Sequence, residues 1–159
     1  MNDDSYTILF VDDEENILAV LKRQLRKEPY RVLTASSGAE GLRMLQENEV
    51  NLVMSDQRMP GMLGTEFLKR AKEISPNVLT AILTGYADLE TMKEGLNRGH
   101  ISRFFLKPWE QNELKQGIRE MLYEYERTHR ARAVERRVIS RILELKKRDI
   151  ARARQGLVK

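Results

Sequence analysis

The 159-residue chain contains no cysteine. That excludes disulfides, thiolate nucleophiles and cysteine-based zinc sites, and it fits a cytoplasmic protein. Only two histidines occur, His100 and His129. Metal centres usually need three or four converging ligands, so both read as surface residues. No run of about 18 apolar residues is present, so no membrane span is expected. The opening "MNDDSYTILFVDDEEN" is acidic with one short apolar run, unlike a secretory signal. There is no internal repeat and no low-complexity linker.

What is present is uneven in charge. The net charge of +4 comes from 28 basic and 24 acidic residues. Residues 126–159 hold 12 of the basic and 4 of the acidic ones, a net of +8. Residues 1–125 therefore carry −4: a mildly acidic body with a basic tail.

Residues 1–110 alternate between two patterns. Short apolar runs, rich in β-branched and aromatic residues, occur at 7–11, 31–35, 51–55, 78–83 and 103–106. They read as buried strands. Between them lie helical patterns. Ile17, Leu18, Leu21 and Leu25 share one face, as do Phe67, Leu68, Ala71 and Ile74. Ser37 and Glu40 stand at capping-box spacing before Leu42 and Leu45. A further helix is expected from an aspartate cap at Asp88 to Gly99. Strands alternating with helices predict an α/β fold with a parallel sheet covered on both faces. From Gln111 a last helix is predicted to dock through Leu114, Ile118, Met121, Leu122 and Tyr125, and to continue beyond the domain to about residue 152. Val134, Val138, Ile142 and Leu145 recur along that second half.

In open parallel sheets, ligands bind outside the carboxyl ends of the strands. The residues there are Asp12 and Asp13 after the first run, Asp56 after the third, Thr84 after the fourth and Lys107 after the fifth. Three carboxylates, a hydroxyl and an ammonium on one rim suit phosphoryl transfer to a carboxylate. Clustered carboxylates repel, so one pKa should rise unless a cation intervenes. Magnesium (or manganese) is the expected cation, since it takes oxygen ligands and needs few from the protein. Asp56 is the expected nucleophile. Asp13 and Asp56 are the expected metal ligands, with Asp12 acting through water. Lys107 and Thr84 would bind phosphoryl oxygens.

These stretches, "ILFVDDEENI", "LVMSDQRMPGMLGTEFL", "AILTGYAD" and "RFFLKPW", resemble the receiver domain of two-component response regulators over residues 5–125. The resemblance implies a flavodoxin-like, doubly wound, five-stranded sheet in the order 2-1-3-4-5. It implies Asp56 as phosphoacceptor, Asp12 and Asp13 as the acidic pair, and a metal-binding main-chain carbonyl at Arg58. Thr84 and Lys107 match the switch hydroxyl and the lysine of the family. Phe104 falls at the switch aromatic, where receivers often carry tyrosine. Lys107-Pro108 matches a cis peptide. The implied partner is a sensor histidine kinase or a phosphotransfer protein. The expected organisation is a receiver over residues 1–125 and a basic connector or coiled-coil helix over 126–159, with the output domain outside this chain.

Two other classes fit less well. An aspartate-based phosphatase of the haloacid dehalogenase type carries a second acid two residues after its nucleophile, where this chain has Arg58. A nucleic-acid binder would use the basic tail, but the tail offers no aromatic residue for stacking and no second helix for a helix-turn-helix. The exposed apolar stripe instead predicts a weak parallel homodimer.

Overall fold

The computed structural model describes residues 6–90, 92–93 and 98–157. In chain order they form β1 (Tyr6–Val11), α1 (Glu15–Gln24), β2 (Tyr30–Ala35), α2 (Gly38–Glu47), β3 (Leu52–Asp56), α3 (Gly64–Ile74) and β4 (Leu79–Thr84). A single 3-10 turn (Tyr86–Asp88), β5 (Arg103–Leu106) and a C-terminal helix (Gln111–Leu157) follow. All five strands are parallel, in the order β2-β1-β3-β4-β5. The expected flavodoxin-like α/β architecture is therefore observed.

The strands' alternation builds two cores, because successive side chains point to opposite faces. Ile8, Phe10, Leu52, Met54 and Leu83 pack with Leu18 and Leu21 of α1, with Leu25 just after it, and with Leu114 and Ile118 of the C-terminal helix. Leu9, Val11, Val53 and Ile82 pack with Leu45 of α2 and with Phe67, Leu68 and Ala71 of α3. The central strands β1, β3 and β4 are thus buried on both faces, as in parallel sheets generally, while the edge strands β2 and β5 are only partly covered.

Local chemistry sets the helix starts. Ser37 Oγ accepts the Glu40 N–H at 3.1 Å, as the capping spacing predicts. The return contact differs: the Glu40 carboxylate accepts from the Ser36 N–H and hydroxyl, at 2.9 and 3.0 Å, rather than from Ser37. These bonds hold the Glu40 carboxyl below its ordinary pKa. Asp88 directly precedes the helical residues 89–90. It closes the 3-10 turn and its carboxylate is taken by Arg58. Of the helix expected over 88–99, residues 91 and 94–97 lie outside the described residues.

The chain divides into two compact units, Met1–Leu122 and Tyr123–Lys159, and the C-terminal helix belongs to both. In the first unit it buries Leu114, Gly117, Ile118, Met121 and Leu122. In the second, every described residue from Arg127 onward is exposed. Tyr125 lies just inside the second unit. It is half-buried and stacks on His129 with ring centroids 4.6 Å apart, the neighbour one helical turn on. The helix also runs to Leu157, past the expected end.

Candidate functional site

The parallel sheet delivers its strand ends to one rim. Asp12 follows β1, Asp56 ends β3, Thr84 ends β4, and Lys107 follows β5. Asp12, Asp13 and Asp56 each bring a carboxylate oxygen within 4.8 Å of the others. Lys107 Nζ lies 3.1 Å from Asp12 Oδ2 and 3.2 Å from Asp56 Oδ1. A residue 95 positions away in sequence thus joins the carboxylate pair.

Asp12 is the most enclosed member, with a side chain only 3% exposed. Its second oxygen accepts the Glu14 N–H at 2.9 Å, which ties the carboxylate to the start of α1. Both oxygens are therefore occupied by protein donors. Asp13 is exposed. Asp56 accepts the Gln57 N–H at 2.9 Å. Burial pushes its carboxyl above the ordinary carboxylate pKa. The Asp12 charge adds to that, and Lys107 and the Gln57 N–H only partly offset it. Burial opposes the charge on Lys107, but its hydrogen bond to Asp12 and the charges of Asp12 and Asp56 outweigh burial and raise its pKa. The cluster is short of positive charge, and its donors are all carboxylate oxygens. That set fits a hard divalent cation such as magnesium.

The loop after Asp56 is shaped by two residues with no obvious sequence signal. The Gly64 N–H donates to the Gln57 carbonyl at 2.9 Å. A side chain at 64 would meet the Asp56 carbonyl carbon and Gln57 Cα at 3.0 Å. Only glycine allows the loop to return so close to the acceptor backbone. Gln57 is buried, and its amide bridges to Thr65: Oε1 accepts the Thr65 N–H at 2.9 Å and Nε2 donates to Thr65 Oγ1 at 3.3 Å. The turn at Met59 to Gly61 thus leaves the acceptor and comes back to it. Gly61 supports that turn with a φ of 81°.

The remaining expected residues sit as follows. Thr84 is buried, and its hydroxyl makes one long contact, 3.5 Å, to the Gly85 carbonyl. Its own carbonyl accepts the Lys107 N–H at 2.7 Å, locking β4 to the lysine. Phe104 lies opposite Ile82 in register and packs, half-buried, on the core under α3. The Lys107-Pro108 peptide is cis. Arg58 turns its side chain to Asp88, a partner that sequence reading missed. Trp109 Nε1 donates to Gln24 Oε1 at 2.7 Å, joining the β5 loop to α1. Such pairs span tens of residues and depend on loop geometry, so no local pattern announces them.

Comparisons with known proteins agree with this arrangement. The family model "response regulator receiver domain" matches residues 8–119. The hydrogenase transcriptional regulatory protein HoxA of Cupriavidus necator is 39% identical over 120 residues, 76% of this chain and 25% of that protein. This chain therefore spans a quarter of that regulator's length. Sporulation initiation phosphotransferase F of Bacillus subtilis is 33% identical over 115 residues, 72% of this chain and 92% of that one. The crystal structure of a CheY-like response regulator receiver domain protein from Methanospirillum hungatei is 35% identical, with a TM-score of 0.74 over 79% of this chain and 99% of that one. By this match, together with its fold and strand order, the chain belongs to the response regulator receiver family of two-component signalling.

Proposed function

We propose that Asp56 is the phosphoacceptor of this receiver. The observation that carries the reading is the reach of Lys107 to both Asp56 and Asp12, at 3.2 and 3.1 Å, beside a cluster of three carboxylates. Receivers are phosphoacceptors rather than enzymes that turn over a separate substrate. A carboxylate oxygen of Asp56 attacks the phosphorus of a phosphohistidine or acyl phosphate. The new O–P bond makes an acyl phosphate as the bond to the donor breaks, and the departing donor keeps the electron pair. Lys107 and the Thr84 hydroxyl bind the phosphoryl oxygens. Attack of water on the same phosphorus later restores the carboxylate and releases inorganic phosphate.

Asp13, Asp56 and the Arg58 carbonyl would hold magnesium or manganese, with Asp12 acting through water. The occupied oxygens of Asp12 favour that division. When bound, the cation would offset the negative charge gathered at the rim. Phosphorylation adds about −1.5 to −2 charge. Thr84 moves toward it, and Phe104 turns into the space that Thr84 leaves. A switch driven from 1:99 to 99:1 takes about 5.5 kcal/mol. A few charge-assisted hydrogen bonds of roughly 1.5–3 kcal/mol each supply that. The donor is a sensor histidine kinase or a phosphotransfer protein. Residues 126–159 serve as a connector whose apolar stripe pairs weakly with a second copy.

Incubation with acetyl phosphate and magnesium tests the reading by intact mass. The wild-type protein gains one phosphoryl group, and chelation of the cation abolishes the gain. Labelling falls further in Asp13→Ala than in Asp12→Ala and vanishes in Asp56→Asn. Full labelling of Asp56→Asn overturns the assignment.

A further inference from the structure

Arg58 and Asp88 form a forked ion pair between the two loops that leave β3 and β4. Arg58 Nε lies 3.0 Å from each Asp88 carboxylate oxygen, and one terminal nitrogen lies 2.7 Å from Oδ1. Asp56 stands opposite Leu83 in the β3–β4 register, so these loops are neighbours and begin just after the acceptor and Thr84. The two partners are unequally held. The Asp88 side chain is 14% exposed and that of Arg58 is 76% exposed. Asp88 is the more enclosed half, and Arg58 is a long, exposed cation paired to it.

We propose that this pair is an anion-responsive latch, an inference that rests on Asp56 being the phosphoacceptor. In the unmodified protein Asp88 holds the Arg58 guanidinium. A phosphoryl group two residues away offers more charge and three acceptor oxygens, which a planar guanidinium can bind through two parallel bonds. An ion pair with one arm in solvent is weak, so such a competitor can take the arginine. The exchange recruits a further cation to the phosphoryl group. It also releases the 3-10 turn Tyr86–Asp88 from the acceptor loop, freeing the chain just past Thr84. Arg58 thus acts through its side chain as well as its main chain, and Asp88 is a positioning residue that restrains it.

A double-mutant cycle on beryllofluoride affinity, read by titration calorimetry at saturating magnesium, tests the latch. Substitution of the Arg58 side chain leaves its main-chain carbonyl in place. Asp88→Asn raises affinity about threefold, the size expected of an exposed ion pair. Arg58→Ala lowers it by a similar factor. In the Arg58→Ala background, Asp88→Asn has no effect. An equal effect of Asp88→Asn in both backgrounds overturns the latch, because it shows a general field rather than restraint of Arg58. No effect in either background overturns it as well. Failure of the wild-type protein to bind beryllofluoride overturns the phosphoacceptor reading, and the latch with it.

Discussion

At the scale of the residue, the site is a problem of charge. Burial disfavours the charged form of Asp56. Its folded carboxyl titrates above the ordinary value of about 3.9. Between those two pKa values the native state binds more protons than the unfolded chain, so this group's contribution to stability falls as pH rises through that window. Above the window the cost is fully present. Asp56→Asn removes it. Thermal unfolding without divalent cation should therefore show a higher midpoint for Asp56→Asn at pH 7, with the advantage lost near pH 3. A lower midpoint at pH 7 would contradict the burial argument. The five rim residues Asp12, Asp13, Asp56, Thr84 and Lys107 were legible in sequence because each directly follows or ends an apolar run. Gln57, Gly64 and Thr65 were not, because their role is to shape a loop. Nor was the pairing of Asp88 with Arg58, 30 positions away.

At the scale of the element, the C-terminal helix is fastened to the sheet by a short stretch. Glu28, near the end of the α1–β2 connection, pairs with Arg119 at 2.8 Å and Lys115 at 3.8 Å. Arg103 pairs with Glu120 at 2.6 Å and lies over the Phe105 ring. Gly117 sits against that ring, and a methyl group there would come within 2.7 Å of Phe105 Cζ. Alanine ordinarily strengthens a helix by about 1 kcal/mol over glycine. Here overpacking, at roughly 1–3 kcal/mol, outweighs that gain. Gly117→Ala should lower unfolding stability by about 1 kcal/mol in urea titrations, against a rise if the contact is slack. The strands were legible because buried parallel strands are short and apolar throughout. The docking stripe was legible from helical spacing as far as Leu122. Tyr125 continues that spacing, and its stacking on His129 is a contact that periodicity does not announce.

At the scale of the whole molecule, the charge division remains the dominant feature. The second unit exposes Val134, Val138, Ile142 and Leu145, and also Ile139, Leu143 and Ile150, which the first stripe did not include. Its arginines pair with glutamates one turn away, Arg127 with Glu124, Arg130 with Glu126 and Arg141 with Glu144. Such exposed pairs contribute little. Isolated helices rarely persist without tertiary contacts, so the apolar stripe needs a cover. If a second copy supplies it, association is weak at low salt, where like charges repel, and strengthens as salt screens them. Analytical ultracentrifugation should show that trend in the wild-type protein and its loss in a Val138→Glu, Ile142→Glu double variant. Monomers at every salt concentration, phosphorylated or not, would remove the second copy as the cover.

The central claim is that one carboxylate among three accepts the phosphoryl group. Borohydride reduces an acyl phosphate and leaves homoserine in place of the labelled aspartate. Peptide mapping of the protein after acetyl phosphate, magnesium and borohydride should find homoserine at position 56, with Asp12 and Asp13 intact. Homoserine at position 12 or 13, or at none of the three, would contradict the account.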